Sequence, residues 1–159
     1  MVNKYPWRED VEWTERTKTI AKLIHPYASV LDLGGGFQNL NKYLVSAEYY
    51  SMDNYKCTED TIVADFNNGE FPEITNCEVD YIVCQGILEY IKDPEKFLRE
   101  IRKYGKILLI TYRESEGTPI ERNQFDFSGI RFFIEKEGWE IVVEKKTDKT
   151  ELLFICRQF

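Results

Sequence analysis

The sequence predicts an α/β fold: a doubly wound, mostly parallel seven-stranded sheet, helices on both faces, and an antiparallel hairpin at the C-terminal end. Three observations predict it. Short apolar runs alternate with segments of helical periodicity from residue 10 to residue 138. The first five runs are apolar throughout, as strands covered on both faces must be. The last two runs are joined by too few residues for a helical crossover, which leaves only antiparallel pairing.

Residues 10–24, DVEWTERTKTIAKLI, place Trp13, Thr17, Ile20 and Ile24 on one helical stripe. The stripe stops at His25-Pro26, because a residue before proline is pushed out of helical geometry. SVLDL (29–33) reads as β1, NLNKYLV (39–45) as a short helix, EYYSM (48–52) as β2, TIVAD (61–65) as β3 and VDYIVC (79–84) as β4. In DPEKFLREIRKYG (93–105), Asp93 caps a helix and Pro94 takes its first position, with Phe97, Leu98 and Ile101 inward. KILLITY (106–112) is β5. SGIRFFIEKEG (128–138) is a helix with Ile130, Phe133 and Ile134 inward, ended by Gly138. WEIVVEKK (139–146) and TELLFICRQF (150–159) form the hairpin.

At 159 residues the chain suits one domain, 1–159, with 1–24 as an N-terminal lid and first helix and 25–159 as the core. The net charge of −7 disfavours non-specific binding to nucleic acid or to anionic membrane, since both need a cationic surface. A protein partner stays open. No apolar run approaches the ~20 residues that span a bilayer, and MVNKYPWRED lacks the apolar centre of a secretion signal, so the expectation is a cytoplasmic protein. Cys57, Cys77, Cys84 and Cys156 are scattered and there is one histidine, His25. Reduced thiols and no metal site are expected.

Gly34, Gly35 and Gly36 follow β1 directly. Ligands of doubly wound sheets bind at the carboxyl ends of the strands, where the chain order reverses. Three consecutive glycines exceed what a turn needs, and glycine lets a ligand lie against backbone. The spacing is wrong for a P-loop, which needs GxxxxGK[ST], and for a dinucleotide fingerprint, which fails at Asn39. What remains, Asp32-x-Gly34-x-Gly36, suits a nucleoside with an uncharged or zwitterionic tail. Asp53, at the end of β2 and 19 residues after Gly34, is placed to accept hydrogen bonds from both hydroxyls of a ribose. Asp65 and Phe66, at the end of β3, are placed to meet an adenine amino group and ring nitrogens.

These segments resemble the class I S-adenosylmethionine-dependent methyltransferases, whose fold is Rossmann-like. VLDLGGG is similar to their glycine motif, with Asp32, Gly34 and Gly36 in register and Gly35 between. SMDN resembles the acidic ribose position, which puts that role on Asp53. VADF resembles the adenine-contacting segment, which carries over to Asp65 and Phe66. The stretch from VDYIVCQGILEY to KILLITY resembles the span from the fourth strand to the fifth, and the hairpin fits the antiparallel last strand of that fold. The resemblance implies S-adenosyl-L-methionine as cofactor and methyl transfer as activity. The sequence departs from the pattern at three places. Gln38 stands where a third glycine is often found, Leu88-Glu89-Tyr90 lacks a customary histidine, and DNYKCTED leaves little room for a helix between β2 and β3. No Asn-Pro-Pro-aromatic tetrad appears, which counts against amino-group methylation of adenine or glutamine.

Methyl transfer from a sulfonium is an in-line displacement with a neutral leaving group, so positioning and exclusion of water matter most. A base helps a hydroxyl acceptor by roughly 10²–10⁴-fold. Gln85, Glu89 and Tyr90 after β4, and Tyr112, Arg113 and Glu114 after β5, border the expected methyl position. Glu89 and Tyr90 are the catalytic candidates, as base or as groups that orient the acceptor, and Gln85 joins the cofactor set. Arg113 is a candidate for an anionic acceptor. His25 precedes β1, at the opposite end of the sheet, and is expected to be structural. Tyr5, Trp7 and Trp13 form an aromatic lid, with Trp13 alternatively the core face of its helix, and Arg16 is placed to pair with the methionine carboxylate. Residues 112–127 form a short covering loop, so the acceptor is either a small molecule or glycan-type group, taken through O or N, or part of something larger that brings its own surface. Two other readings remain at this point: a cofactor-binding but catalytically silent regulatory or partner protein, and a nicotinamide-dependent oxidoreductase, against which the broken GxGxxG and the hairpin speak.

Overall fold

The computed structural model describes residues 11–45, 48–74, 78–114, 121 and 123–159, and the backbone alone at 11 and 12. Its sheet has the strand order β3-β2-β1-β4-β5-β7-β6. The strands are β1 (Ser29–Leu33), β2 (Glu48–Asp53), β3 (Ile62–Val63), β4 (Tyr81–Cys84), β5 (Ile107–Arg113), β6 (Trp139–Lys146) and β7 (Glu151–Gln158). β1 through β5 are mutually parallel, and β7 runs antiparallel to both β5 and β6. The chain winds outward from β1 through β2 to β3, then returns to place β4 on the other side of β1. The crevice of such a sheet opens at that reversal, above the carboxyl ends of β1 and β4.

Alternate residues of the same strands feed two cores, one on each face. Val30, Tyr81, Val83, Leu109 and Leu153 pack with Ile20, Ile24 and Leu40 beneath α1 (Val11–Ala21). Leu31, Leu33, Ile82, Cys84, Leu108 and Ile110 pack on the opposite face with Phe97, Leu98, Ile130 and Ile134 from α2 (Pro94–Glu100) and α3 (Phe127–Lys136). The helices therefore cover both faces, as the apolar strands require.

Several elements are shorter than the sequence predicts, each for a visible reason. α1 ends at Ala21, and its last turn tightens through Leu23 N–H to Ile20 O and Ile24 N–H to Ala21 O before the proline. Residues 39–45 make only one 3-10 turn, Leu40–Tyr43. β3 stops at Val63, because the Asp65 carboxylate accepts the Asn67 N–H and starts a 3-10 turn. β4 starts at Tyr81, with Val79 making one bridge to Gly105. The helix after Asp93 gives way at Ile101 to a 3-10 turn. There the buried Trp139 indole donates to Leu98 O, the acceptor the next α-helical turn would use, and Gln158 Nε2 donates to Arg102 O and Gly105 O. Asp93 does cap α2, by accepting the Lys96 N–H at 3.0 Å, with Pro94 at the first position. No helix among the described residues is long and apolar enough to cross a membrane.

Candidate functional site: a glycine cradle at the β1–β4 crevice

The three glycines have three different reasons to be glycine. Gly34 has φ +74°, and its N–H donates to Met52 O at 2.7 Å. A Cβ there would lie 2.6 Å from Ile87 Cδ1. At Gly35 a Cβ would lie 2.5 Å from Ser51 Oγ. Gly34 and Gly35 are thus required by packing within the protein. Gly36 also has a left-handed φ, +52°, but a Cβ there would meet nothing within 4 Å. Of the three, Gly36 is the one whose missing Cβ leaves its surroundings open among the described residues.

Asp53 reaches that space from the end of β2. Its Oδ2 accepts the Gly36 N–H at 3.0 Å and its Oδ1 accepts the Tyr55 N–H at 3.2 Å. Burial raises its pKa, and the backbone N–H groups of Tyr55, Gly36 and Asn54 oppose that rise. Each carboxylate oxygen accepts more than one bond, so Asp53 retains lone pairs for a ligand. Gln38 completes the turn with φ +58°, its N–H donating to Gly35 O and its Nε2 to Thr58 Oγ1 at 2.7 Å. A glutamine here holds the backbone shape a glycine would give, at a cost of about 1–2 kcal/mol.

Asp32 sits beneath the cradle and is fully buried. Tyr49 O–H donates to its Oδ2 at 2.6 Å, while Oδ1 has no hydrogen-bond partner. Burial pushes its pKa up to about 7, opposed by the Tyr49 bond. Asp65 is exposed at the head of its turn, its carboxylate holding Asn67 N–H and its own N–H donating to Glu70. The Phe66 ring belongs to the core, 5.4 Å from both Phe71 and Phe97. A cavity of about 190 Å³ lies beside this turn, between Phe66–Asn67 and Ile91–Lys96.

On the β4 side, Gln85 Oε1 lies 3.0 Å from Thr17 Oγ1 of α1. Arg16 is buried against Gly86, where a Cβ would lie 2.9 Å from its Nη2. Its Nη1 donates to Glu151 Oε2 at 2.7 Å, its plane lies 5.3 Å from the half-buried Trp13 ring, and its Nε has no partner. Arg16 therefore reaches the crevice already paired with a buried carboxylate. Glu89 is 4% exposed: its Oε1 accepts the Arg113 N–H at 2.7 Å and its Oε2 is without a partner. Burial pushes Glu89 up to about 7; its own backbone N–H, the Arg113 N–H and Arg16 oppose the rise, and the neighbouring Glu151 adds to it. Tyr90 is half-buried beside it, its hydroxyl raised by burial and by the Glu89 charge. The Arg113 side chain donates to Asp148 at 2.6 Å and to Thr150, so the candidate for an anionic acceptor is already engaged. Glu114 Oε1 accepts the Phe127 N–H. His25 is exposed before β1, its ring 6.3 Å from Tyr81, at the amino end of the sheet as expected. Tyr5, Trp7 and Cys77 lie outside the described residues; Cys57, Cys84 and Cys156 are free thiols.

Three site residues escape the sequence reading. Tyr49 was legible in principle, since it lies two residues before Ser51 on β2, opposite Asp32. Glu151 follows from the antiparallel register of β7 on β5, which sets it against Arg113. Asn123, described below, carries no local signal.

No protein-family model matches the sequence, and no curated protein matches it. Solved structures do. A methyltransferase described as S-adenosylmethionine-dependent, from Aquifex aeolicus, is 17% identical with a TM-score of 0.74, covering 94% of each chain. The 1,6-didemethyltoxoflavin N1-methyltransferase of Burkholderia thailandensis, solved with 1,6-didemethyltoxoflavin and S-adenosylhomocysteine, is 14% identical with a TM-score of 0.76, over 96% of this chain and 80% of that one. The magnesium protoporphyrin IX methyltransferase of Synechocystis, solved with S-adenosylmethionine, is 11% identical with a TM-score of 0.71, over 94% and 81%. Strand order, the antiparallel β7 and these likenesses agree: the chain has the class I S-adenosylmethionine-dependent methyltransferase fold.

Proposed function

We propose that this protein is a methyltransferase that binds S-adenosyl-L-methionine and transfers its methyl group to a small-molecule or glycan-type acceptor, through oxygen or nitrogen. One observation carries the reading: the Gly36 N–H and the Asp53 carboxylate meet at 3.0 Å, beside a point where a Cβ on Gly36 would meet no described atom within 4 Å. A nucleoside sugar fits that space, because Asp53 accepts hydrogen bonds from vicinal hydroxyls while Gly36 lets the ligand lie on the backbone. Asp65 and the backbone at Phe66 border the base. Gly34 and Gly35 shape the turn, and Asp32 supports it from below. Arg16 and Gln85 lie on the amino-acid side, where the unpartnered Arg16 Nε is the donor left for a carboxylate.

When bound, the cofactor supplies a methyl group already activated on a sulfonium. The protein's own task is to hold the acceptor in line and to keep water out. Glu89 and Tyr90 stand where an acceptor is oriented or relieved of a proton. The small acceptor is favoured by analogy with the Burkholderia and Synechocystis proteins. The net charge of −7 favours a neutral or cationic acceptor over nucleic acid.

The test is calorimetry with S-adenosylhomocysteine. Wild-type protein binds it, and Asp53→Ala weakens binding by about 1.5–3 kcal/mol, the worth of hydrogen bonds to a charged group. Unchanged affinity removes Asp53 from the site. Radioactive methyl incorporation into a metabolite extract then separates a working enzyme from a protein that binds the cofactor without using it.

A further inference from the structure

The amide of Asn123 is 8% exposed and every polar atom of it is used. Its Nδ2 donates to Leu88 O and to Ile91 O, both at 2.7 Å. Its Oδ1 accepts the Tyr112 O–H at 2.7 Å, and its backbone N–H reaches Glu89 O at 3.4 Å. Tyr112, in turn, accepts the Phe125 N–H at 2.9 Å. One side chain thus grips both ends of the Leu88–Tyr90 turn and ties it to the end of β5. That turn carries Glu89, whose two oxygens are treated unequally: Oε1 is held by the Arg113 N–H, and Oε2 is buried with no partner among the described residues. An unpartnered buried carboxyl oxygen is costly and persists only where the surroundings fix it.

We propose that Asn123 is a positioning residue for methyl transfer: it locks the Leu88–Tyr90 turn so that Glu89 keeps one oxygen bonded and holds the other bare for the labile proton of the acceptor. This rests on the methyltransferase reading and deepens it, because it restricts the acceptor to one with a hydroxyl or a protonated nitrogen. The acceptor's X–H bond breaks heterolytically. The proton would go to Oε2 of Glu89, and the pair left on X would form the X–CH3 bond as the sulfonium S–CH3 bond breaks, its electrons staying on the neutral thioether that leaves. Among the described residues, the charged and titratable groups that act on Glu89 or on its neighbours Tyr90 and Tyr112 are Arg16 of α1, Arg113 of β5, Glu151 of β7, and Glu114 and Glu121 of the loop between β5 and α3. Arg16 and Arg113 are both paired elsewhere, so neither cation caps the bare oxygen.

The experiment needs no acceptor. Protein labelled with carboxyl-¹³C glutamate is titrated by NMR, and Glu89→Gln identifies the Glu89 signal. In wild-type protein Glu89 titrates near neutrality. In Asn123→Ala the turn opens to water, and the midpoint falls by one pH unit or more toward the ordinary glutamate value of about 4.3. Tyr112→Phe, a milder cut that removes one bond to Asn123, moves the midpoint the same way by less, and serves if Asn123→Ala does not fold. A wild-type Glu89 that titrates in the ordinary range, or a midpoint unmoved in the folded variants, overturns the proposal. Calorimetry with S-adenosylhomocysteine on the same wild-type sample separates the two readings. Loss of binding there defeats the methyltransferase assignment whatever Glu89 does, and binding with an unmoved Glu89 defeats the positioning role alone.

Discussion

The two halves of the crevice are built differently. On the β1–β2 side the polar contacts are between residues 17 to 20 apart: Gly36 with Asp53, Tyr49 with Asp32, Gln38 with Thr58. They join neighbouring parallel strands and the loops that leave them, so a short stretch of chain specifies them. On the β4–β5 side the contacts span 24 to 135 residues: Glu89 with Arg113, Asn123 with Leu88, Arg16 with Glu151. They join the N-terminal helix, the hairpin and a loop that only the complete fold brings together. The first side is a local device for one kind of ligand. The second is a tertiary assembly in which a change anywhere along the chain is felt.

The sharpest way to break that contrast is Arg16→Ala. It removes the nearer of the two cations on the buried Glu151 and leaves Arg113 Nη2 at 3.7 Å, so the loss approaches the ~3–5 kcal/mol that breaking a buried pair costs. Urea unfolding should show that loss, and a fall below about 1 kcal/mol would mean that α1 is not held by this pair. Next comes pH. Glu89 and Asp32 have folded pKa values raised to about 7, so between about pH 4 and pH 7 both keep a proton in the folded state that the unfolded chain has released. Stability from these groups is greatest at low pH, declines from about pH 4 to 7, and is flat above. Glu89→Gln removes its share of that slope, of order 3 kcal/mol at most, as thermal melts from pH 5 to 8 would show.

Glycine substitutions separate packing from ligand space on the local side. Gly34→Ala meets both a positive φ and Ile87, and should destabilise by about 2–4 kcal/mol. Gly36→Ala meets only the φ cost of about 1–2 kcal/mol, yet should weaken S-adenosylhomocysteine binding more than it weakens the fold. Equal stability losses with no loss of binding would show that the open space over Gly36 holds no ligand. The smallest effect is expected from Gln38→Gly, within about 1 kcal/mol in melting, because relief of the left-handed φ is offset by chain entropy and the lost Thr58 contact.

The same contrast explains what the sequence could reveal. β1, the Asp93-Pro94 helix start and the terminal hairpin were legible because each is set by neighbours along the chain: an apolar run before glycines, a cap before proline, two strands with a short polar turn. Asp53 was legible because its place at the end of β2 follows from strand length. The early end of α2 was not, since it depends on Trp139 donating to Leu98 O from 41 residues away. Arg113 looked free in sequence because Asp148 lies across the hairpin turn, 35 residues on. Phe66 enters the sequence reading for its backbone at the end of β3; that its ring joins an aromatic cluster with Phe71 and Phe97 is something no local pattern announces.

The most direct test is a crystal structure with S-adenosylhomocysteine. The account predicts the ribose hydroxyls within hydrogen-bonding distance of Asp53, with the sugar lying over Gly36. A ligand seated elsewhere, or a cradle that stays empty at saturating concentration, would contradict it.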